Sequence, residues 1–228
     1  TILSPQSNTL YVAGNWTNNG TFNYSTSTVV FNGGAAQSIS GTASSPFNFY
    51  NLTQTGTGTT TQGVAITANN NLPETSSIIQ TGGQIGIQTN TFTQSEAATL
   101  DVSSVVGVAG NVNIVASESI SISGQVLANG LGGLGGSIQL QATRKVELQT
   151  AVLDASGANG GGRIHLQSDG VPANPGTPDM PVPGRVALAN NTVLRVNSTR
   201  AHAGRVEVEG DEISLDSGTR IEAMGATA

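Results

Sequence analysis

The chain has 228 residues, of which 10% are charged, and it carries a formal net charge of −6. It contains no cysteine, which excludes disulfide bonds and thiolate metal sites. The acidic balance without a basic stripe argues against nucleic acid as a partner, and the lack of a run of about 18 apolar residues argues against a transmembrane helix.

Residues 1–62 form the first predicted region, which is uncharged and rich in Asn, Thr and aromatic residues. Eight of the nine aromatic residues lie in the first fifty positions, and the first charged residue is Glu74. Short β-rich runs alternate with Asn-Gly and Gly-Gly pairs, which mark tight turns. We expect irregular coils of a stacked β-structure here, with aromatic side chains filling a wider cross-section. A separate small β-domain is the alternative interpretation.

Residues 63–228 form the second predicted region, in which a glycine-led pattern returns. Copies begin at Gly110, Gly136, Gly162 and Gly204, and the first three of these glycines are evenly spaced along the chain. Apolar residues stand two and four positions after each glycine. Alternation of period two predicts half-buried strands, and a fixed longer period predicts stacked units.

Two further alternating segments follow the first in each copy, so the pattern predicts three strands per coil. The inward residues should form three stacks: Val112, Ile138, Ile164 and Val206; Ile120, Val146, Val186 and Ile213; and Val126, Leu153, Leu194 and Ile221. We therefore predict an all-β fold, a single-stranded right-handed parallel β-helix (β-solenoid) of roughly eight to ten coils.

One coil is interrupted by a proline-rich loop. Gly162 and Gly204 lie much further apart than Gly136 and Gly162, and the excess maps to 169–184, which hold five of the eight prolines. Proline cannot donate to a strand ladder, so this segment should leave the sheet. Insertions in repeat proteins often carry the binding function. The candidate binding loop residues are Asp169, Pro172, Asn174, Asp179, Met180 and Pro183.

Two motifs resemble catalytic or nucleotide-binding signatures but predict turns. The glycine run at 129–136 is followed by a strand pattern, whereas a phosphate-binding loop needs a helix after it. The Asp-Ser-Gly-Thr sequence at 216–219 occurs once, whereas aspartic protease chemistry needs two facing carboxylates. The sequence predicts no catalytic residues.

An acidic cluster spans Glu207–Glu212. A weak calcium site is one interpretation, since hard cations take carboxylate oxygens. The favoured interpretation is a solvated acidic face that Arg163 and Arg205 partly neutralise. His165 and His202 are single imidazoles without a ligand set around them. We predict neither a metal site nor a cofactor.

Two repeats, GGSIQLQATRKVELQTAVLDASGANGGG and GRVEVEGDEISLDSGTRIEAMG, resemble the repeat region of filamentous-haemagglutinin-type exoproteins. These are large bacterial adhesins exported by two-partner secretion, and the resemblance covers roughly residues 83–228. The early segment GNWTNNGTFNY resembles a repeat of other large bacterial surface proteins. The resemblance implies a long right-handed β-helix that forms a rod, secreted or held at the bacterial surface. We expect the chain to be a fragment of a longer protein.

The expected function is that of a structural and adhesive rod segment that binds host or neighbouring-cell surfaces without catalysis. The expected partner is a cell-surface glycan or protein receptor, with membrane contact only indirect, through the parent protein or its exporter. A passive spacer stalk is one alternative. A β-helical polysaccharide lyase or hydrolase is another, but such enzymes line one groove with Asp, Arg or Lys, and this chain has a single lysine, Lys145.

Overall fold

The computed structural model describes residues 2–42, 47–54, 60–62, 66–74, 78–79, 84–172 and 180–226. Secondary structure in these residues consists of β-strands and turns, without helices. The described part therefore also lacks any helix that could cross a lipid bilayer. The predicted all-β class is confirmed.

The structure describes 23 strands, which are 2 to 12 residues long. In chain order they are β1 (Ile2–Leu3), β2 (Thr9–Val12), β3 (Trp16–Thr17), β4 (Thr21–Phe22), β5 (Thr28–Phe31), β6 (Gln37–Ser40), β7 (Phe47–Gln54), β8 (Thr60–Gln62), β9 (Ile66–Glu74), β10 (Ile78–Ile79), β11 (Gln84–Gln94), β12 (Thr99–Asp101), β13 (Asn111–Ile122), β14 (Gln125–Leu127), β15 (Ser137–Ala142), β16 (Lys145–Gln149), β17 (Val152–Asp154), β18 (Arg163–Ser168), β19 (Arg185–Ala189), β20 (Val193–Arg195), β21 (Arg205–Gly210), β22 (Glu212–Leu215) and β23 (Arg220–Glu222).

The strands form two large parallel sheets. The first has twelve strands: the path β2-β5-β7-β9-β11-β13-β15-β18-β21, and the branch β16-β19-β22, which joins it at β13. The second has nine strands in the order β3-β6-β8-β10-β12-β14-β17-β20-β23, and β1 and β4 form a separate pair. Every pairing between named strands in the described residues is parallel.

The pairing register confirms the alignment of the three predicted stacks, whereas the predicted inward position of their last members Ile213 and Ile221 is not borne out, since each is 49% exposed. Val112 pairs with Ile138, Ile138 with Ile164, and Ile164 with Val206. The second predicted stack, from Ile120 to Ile213, and the third, from Val126 to Ile221, are aligned in the same way. Equivalent residues of successive repeats therefore lie next to each other on neighbouring strands. The reason is that paired residues are separated along the chain by the length of one repeat.

The alternation predicted from the sequence produces the core. In β15 and β18 the side chains of Ile138, Leu140, Ile164 and Leu166 are fully buried. Burial of one such side chain stabilises a fold by roughly 1.5–3 kcal/mol relative to its exposure. In β21 the equivalent Val206 and Val208 are only half-buried. The reason is that β21 has a paired strand on one edge only in the described residues.

The glycine that opens each repeat has a steric role. A Cβ atom built on Gly136 would overlap the carbonyl oxygen of Gly110. The same construction on Gly162 and Gly204 overlaps the carbonyl oxygens of Gly136 and Gly162, respectively. Backbones of successive repeats therefore approach at a point where no side chain fits. This contact explains why the repeat begins with glycine.

The uncharged region joins the same two sheets with shorter offsets between paired residues. Thr9 pairs with Thr28, and Trp16 pairs with Ile39. In the first sheet β2, β5 and β7 continue directly into the strands of the glycine-led repeats, and in the second sheet β3, β6 and β8 do the same. Both predicted regions, residues 1–62 and 63–228, thus contribute strands to each large sheet.

Candidate functional site

The proline-rich excursion leaves the twelve-stranded sheet after β18 and returns at β19. Its two arms are held together by an antiparallel bridge, in which Val171 N donates to Val182 O at 2.8 Å and Val182 N donates to Val171 O at 2.9 Å. Gly170 N donates to Thr143 O at 2.7 Å and ties the first arm to the preceding repeat. The two described arms therefore pair with each other through this bridge and do not form strands of the sheet.

A cleft of about 540 Å³ lies at the base of the excursion. It is lined by Asp169, Gly170, Val171, Pro172, Pro181, Val182, Pro183 and Asp211. The structure thus brings together Asp169, Pro172 and Pro183 of the predicted loop residues. Met180 adjoins this lining in the chain and is 83% exposed. Asn174 and Asp179 lie outside the described residues.

Two carboxylates face the cleft between apolar walls. Asp169 accepts hydrogen bonds from Gln167 Nε2 at 2.6 Å and from Gln141 Nε2 at 3.1 Å. Asp211 Oδ2 accepts a hydrogen bond from Gly184 N at 2.8 Å. This bond ties the end of the second arm to the chain that follows β21. The cleft can offer oxygen acceptors to a ligand's hydroxyl, amide or ammonium groups. Its described lining residues include no nucleophile paired with a base.

Asp211 is absent from the predicted loop because it belongs to the next repeat. The register pairs Ser168 with Gly210, so the chain that follows β21 passes over the chain that follows β18. The signal was present in the sequence: aligning Gly162 with Gly204 places Asp211 opposite Asp169. The excursion hides this alignment, because it lengthens the repeat between the two residues.

The acidic cluster consists of carboxylates that have separate partners. Glu207 pairs with Arg163 of the preceding repeat and with Arg205 of its own strand. Arg163 Nε donates to Glu207 Oε2 at 2.6 Å, and this hydrogen bond is the main reason that the pKa of Glu207 lies below its ordinary value of 4.5. Glu212 pairs with Arg185 at 2.8 Å. The predicted neutralisation by Arg163 and Arg205 is confirmed.

The remaining groups near the cluster do not gather into a ligand set. His165 is 8% exposed, and its Nε2 lies 3.5 Å from Glu209 Oε1. His202 lies in the connection that precedes β21. In the described part of the chain, no three His, Asp or Glu side chains are placed to hold a metal ion together.

A second charged ladder crosses the nine-stranded sheet. Asp154, Arg195 and Glu222 are register partners on successive strands. Arg195 Nη1 lies 3.3 Å from Asp154 Oδ2, and its Nε donates to Glu222 Oε2 at 2.8 Å. The hydrogen bond from Arg195 lowers the pKa of Glu222, and the same bond raises the pKa of Arg195. These charges are engaged with one another across the repeats.

The glycine run at 129–136 and the Asp-Ser-Gly-Thr sequence at 216–219 form turns, as predicted. The glycine run at 129–136 ends at β15, and its Gly130 bridges to Ser104 and to Gly157 of the neighbouring repeats. Asp216 begins a turn between β22 and β23, closed by the hydrogen bond from Thr219 N to Asp216 O at 3.2 Å. Neither segment assembles a reactive group with a partner.

A pocket that sequence reasoning missed lies near the start of the chain. It has a volume of about 410 Å³ and is lined by Leu3, Asn15, Trp16, Thr17, Asn18, Asn19, Gly20, Thr21 and Phe22. The aromatic and asparagine content of this stretch was visible in the sequence. Its assembly into a pocket was not, since it depends on how β1, β3 and β4 are placed.

The chain was compared with models of known protein families, with curated proteins and with solved structures. No family model, no curated protein and no solved structure matches it.

Proposed function

We propose that this chain is a non-catalytic binding segment of a right-handed parallel β-helix, in a secreted or surface-attached bacterial protein of the filamentous-haemagglutinin type. Parallel registers that recur at the spacing of the glycines, as from Val112 to Ile138 and on to Ile164, support the coil geometry. Nine strands along each sheet path support about nine coils. The resemblance of the repeats to those adhesins supports the class of protein.

The observation that carries the binding role is the excursion at 169–184. Its described arms, together with Asp211, line a cleft of about 540 Å³ with apolar walls and two carboxylates. Clefts of roughly 300–1,000 Å³ with a few convergent polar groups are typical ligand sites. The exposed Met180 adds a flexible apolar contact at the rim.

The proposed partner is a glycan or a protein receptor on a host or neighbouring cell. Contact with a membrane is indirect, through the parent protein or its exporter. One segment should bind weakly, with a Kd of roughly micromolar to millimolar, and repeated segments of a rod would raise the avidity.

A passive spacer stalk is the second candidate function. The charged ladders favour it, because Arg163, Arg185 and Arg195 are already engaged by carboxylates of adjacent repeats. A spacer would show no specific binding by the excursion.

Flow cytometry of the fluorescently labelled chain on cultured epithelial cells tests the proposal. We expect saturable binding that falls at least about tenfold, or about 1.4 kcal/mol, when Val171–Pro183 is deleted. Met180→Ser should also weaken it, whereas Met224→Ser, at a methionine 61% exposed outside the cleft, should not. Absence of binding, or equal binding by the deletion variant, would favour the spacer. Release of unsaturated products from polygalacturonate with calcium would overturn the non-catalytic role.

A further inference from the structure

The pocket near the start of the chain has an aromatic floor that its surroundings hold in place. Trp16 and Phe22 meet edge to face, with ring centroids 5.0 Å apart. Behind them, Phe31 and Phe49 are fully buried, with centroids 6.5 and 5.7 Å from that of Trp16. Trp16 itself is half-buried and lines the pocket. A rigid ring surface of this kind binds an apolar face at little cost in side-chain entropy.

Three asparagines of the lining are oriented by hydrogen bonds to backbone amides. Asn15 Oδ1 accepts from Ser38 N at 2.9 Å, and Asn18 Oδ1 accepts from Gly20 N at 3.0 Å. Asn19 Oδ1 accepts from Thr42 N at 3.0 Å. A backbone N–H can only donate, so the atom of each side-chain amide that faces it must be the oxygen. The nitrogen of each amide is therefore on the opposite side.

Among the described residues, the nitrogen side of these amides has no partner. In the described part of the chain, no hydrogen bond engages Nδ2 of Asn15, Asn18 or Asn19. Asn15 and Asn19 are exposed, Asn18 is half-buried, and all three line the pocket. The indole N–H of Trp16 also lacks a partner among the described residues, but it is buried and so does not add to the donors that a ligand can reach. The lining therefore has an excess of donors, and a matching ligand must supply acceptor oxygens.

Charge plays no part in this recognition. No Asp, Glu, Lys or Arg precedes Glu74 in the sequence, so the pocket's own region cannot select an ion by a salt bridge. The fitting ligand is neutral, carries several acceptor oxygens and has an apolar face. A pyranose ring has all three properties: it is uncharged, with hydroxyl oxygens around its rim and C–H groups across one face.

We propose that the pocket lined by Trp16, Phe22 and Asn15–Asn19 is a binding site for a neutral saccharide. It lies in a different region from the proline-rich excursion and forms a second, separate site. The proposal deepens the binding function proposed above by naming a ligand class, and it rests on that function in taking the partner to be a surface glycan.

Intrinsic fluorescence tests the site directly, because Trp16 is the only tryptophan in the chain. Titration with glucose, galactose and N-acetylglucosamine should give a saturable change for at least one sugar, with a Kd of about 1 mM, a usual scale for weak binding. Sorbitol serves as the control for general effects of polyols. Saturation-transfer NMR on the same sugar should place the strongest contacts on its C–H face.

Asn18→Asp provides a sharp variant, because the carboxylate keeps the acceptor for Gly20 N but removes the Nδ2 donor. We expect it to weaken sugar binding at least fivefold. Asn111→Asp is the matched control, since Asn111 Oδ1 accepts from Ser137 N at 3.1 Å in the same manner but outside the pocket lining. Unchanged melting of both variants would show that the loss is specific.

Absence of any saturable response to the three sugars would overturn the site, as would equal binding by Asn18→Asp and the unaltered chain. A response to an unrelated peptide with none to sugars would also overturn it, in favour of a protein ligand. Because cell binding through the excursion is measured separately with the Val171–Pro183 deletion, failure of this pocket and failure of the proposed rod function are distinguishable.

Discussion

The two regions of the molecule fill the same stack with different chemistry. In the uncharged region the repeats are shorter, as the pairing of Thr9 with Thr28 shows, and rings such as Phe31 occupy the core. In the glycine-led region the repeats are longer, as the pairing of Val112 with Ile138 shows, and Ile, Leu and Val make up most of the core. Both regions share the parallel pairing of strands, which satisfies the backbone hydrogen bonds whatever side chains the strands carry. The stack therefore tolerates a change of core residues without a change of sheet.

The regions also differ in what holds the outside of each repeat. The first region has no charged side chains and links its strands through polar groups. Buried Gln37, for example, donates through Nε2 to Val12 O at 2.9 Å and to Gly14 O at 2.6 Å. The second region links its repeats through ion pairs such as Arg185–Glu212. Acid should therefore weaken the second region and spare the first.

The largest expected effect comes from a charge in the aliphatic core. Leu166→Asp should unfold the glycine-led region, because Leu166 is fully buried and an unpaired carboxylate there costs several kcal/mol. Circular dichroism during thermal unfolding measures the loss. Leu215→Asp is the control, at an apolar position of β22 that is 57% exposed, and it should shift the transition far less. Equal transitions for Leu166→Asp and the unaltered chain would contradict the inward assignment.

The next effect comes from the glycine contact between successive repeats of the second region. Gly162→Ala places a methyl group against the carbonyl oxygen of Gly136, and neither backbone can move without disturbing its own pairing. We expect a loss of about 1–3 kcal/mol in the free energy of unfolding, as for other overpacked sites. Gly14→Ala is the matched control, because a Cβ there meets nothing within 4 Å. The two variants should differ clearly in urea denaturation.

A smaller effect is expected from pH. Folding lowers the pKa of Glu207 and of Glu222 below 4.5, so the stability from these groups is full above pH 4.5 and is lost as the pH falls through their folded values. Circular dichroism on acidification should report this loss before Trp16 fluorescence changes. Glu222→Gln should reduce the acid sensitivity, whereas Glu96→Gln, at an exposed residue without an ion pair in the described residues, should leave it unchanged. Simultaneous loss of both signals would contradict the difference between the regions.

The smallest effect should follow removal of the excursion. Deleting Val171–Pro183 joins Gly170 to Gly184, and these residues are already close, since a Cβ on Gly170 would lie 2.9 Å from Gly184 N. The antiparallel bridge that is lost lies within the deleted segment. We expect a change of less than about 1 kcal/mol, because loop length has a small effect on folding free energy. A large fall in the β signal by circular dichroism would show that the excursion supports the stack.

Much of the second region was predictable, because its strands repeat both the alternation and the period. Val112, Ile138 and Ile164 were assigned to one stack from the sequence, and the register confirms it. The excursion was also located, because its prolines cannot belong to a ladder. Its partner Asp211 was missed, since that residue reaches the cleft only through the pairing of β18 with β21. The roles of the loop residues in binding stay predictions.

By itself, the sequence determined the strand class, the inward face of each regular strand and the point at which the repeat is interrupted. These features depend on local alternation and on spacing, which are written along the chain. Only the tertiary structure decided which inward residues are covered. Leu166 has paired strands on both sides, whereas Val208, on the same stack, has one among the described residues and stays half-exposed. The tertiary structure also decided that a pocket forms at Trp16. The strands around it are irregular, so the sequence has no period there from which neighbouring strands could be assigned. Whether a side chain is buried depends on the strand that packs beside it. A sequence specifies that neighbouring strand only where the sequence repeats.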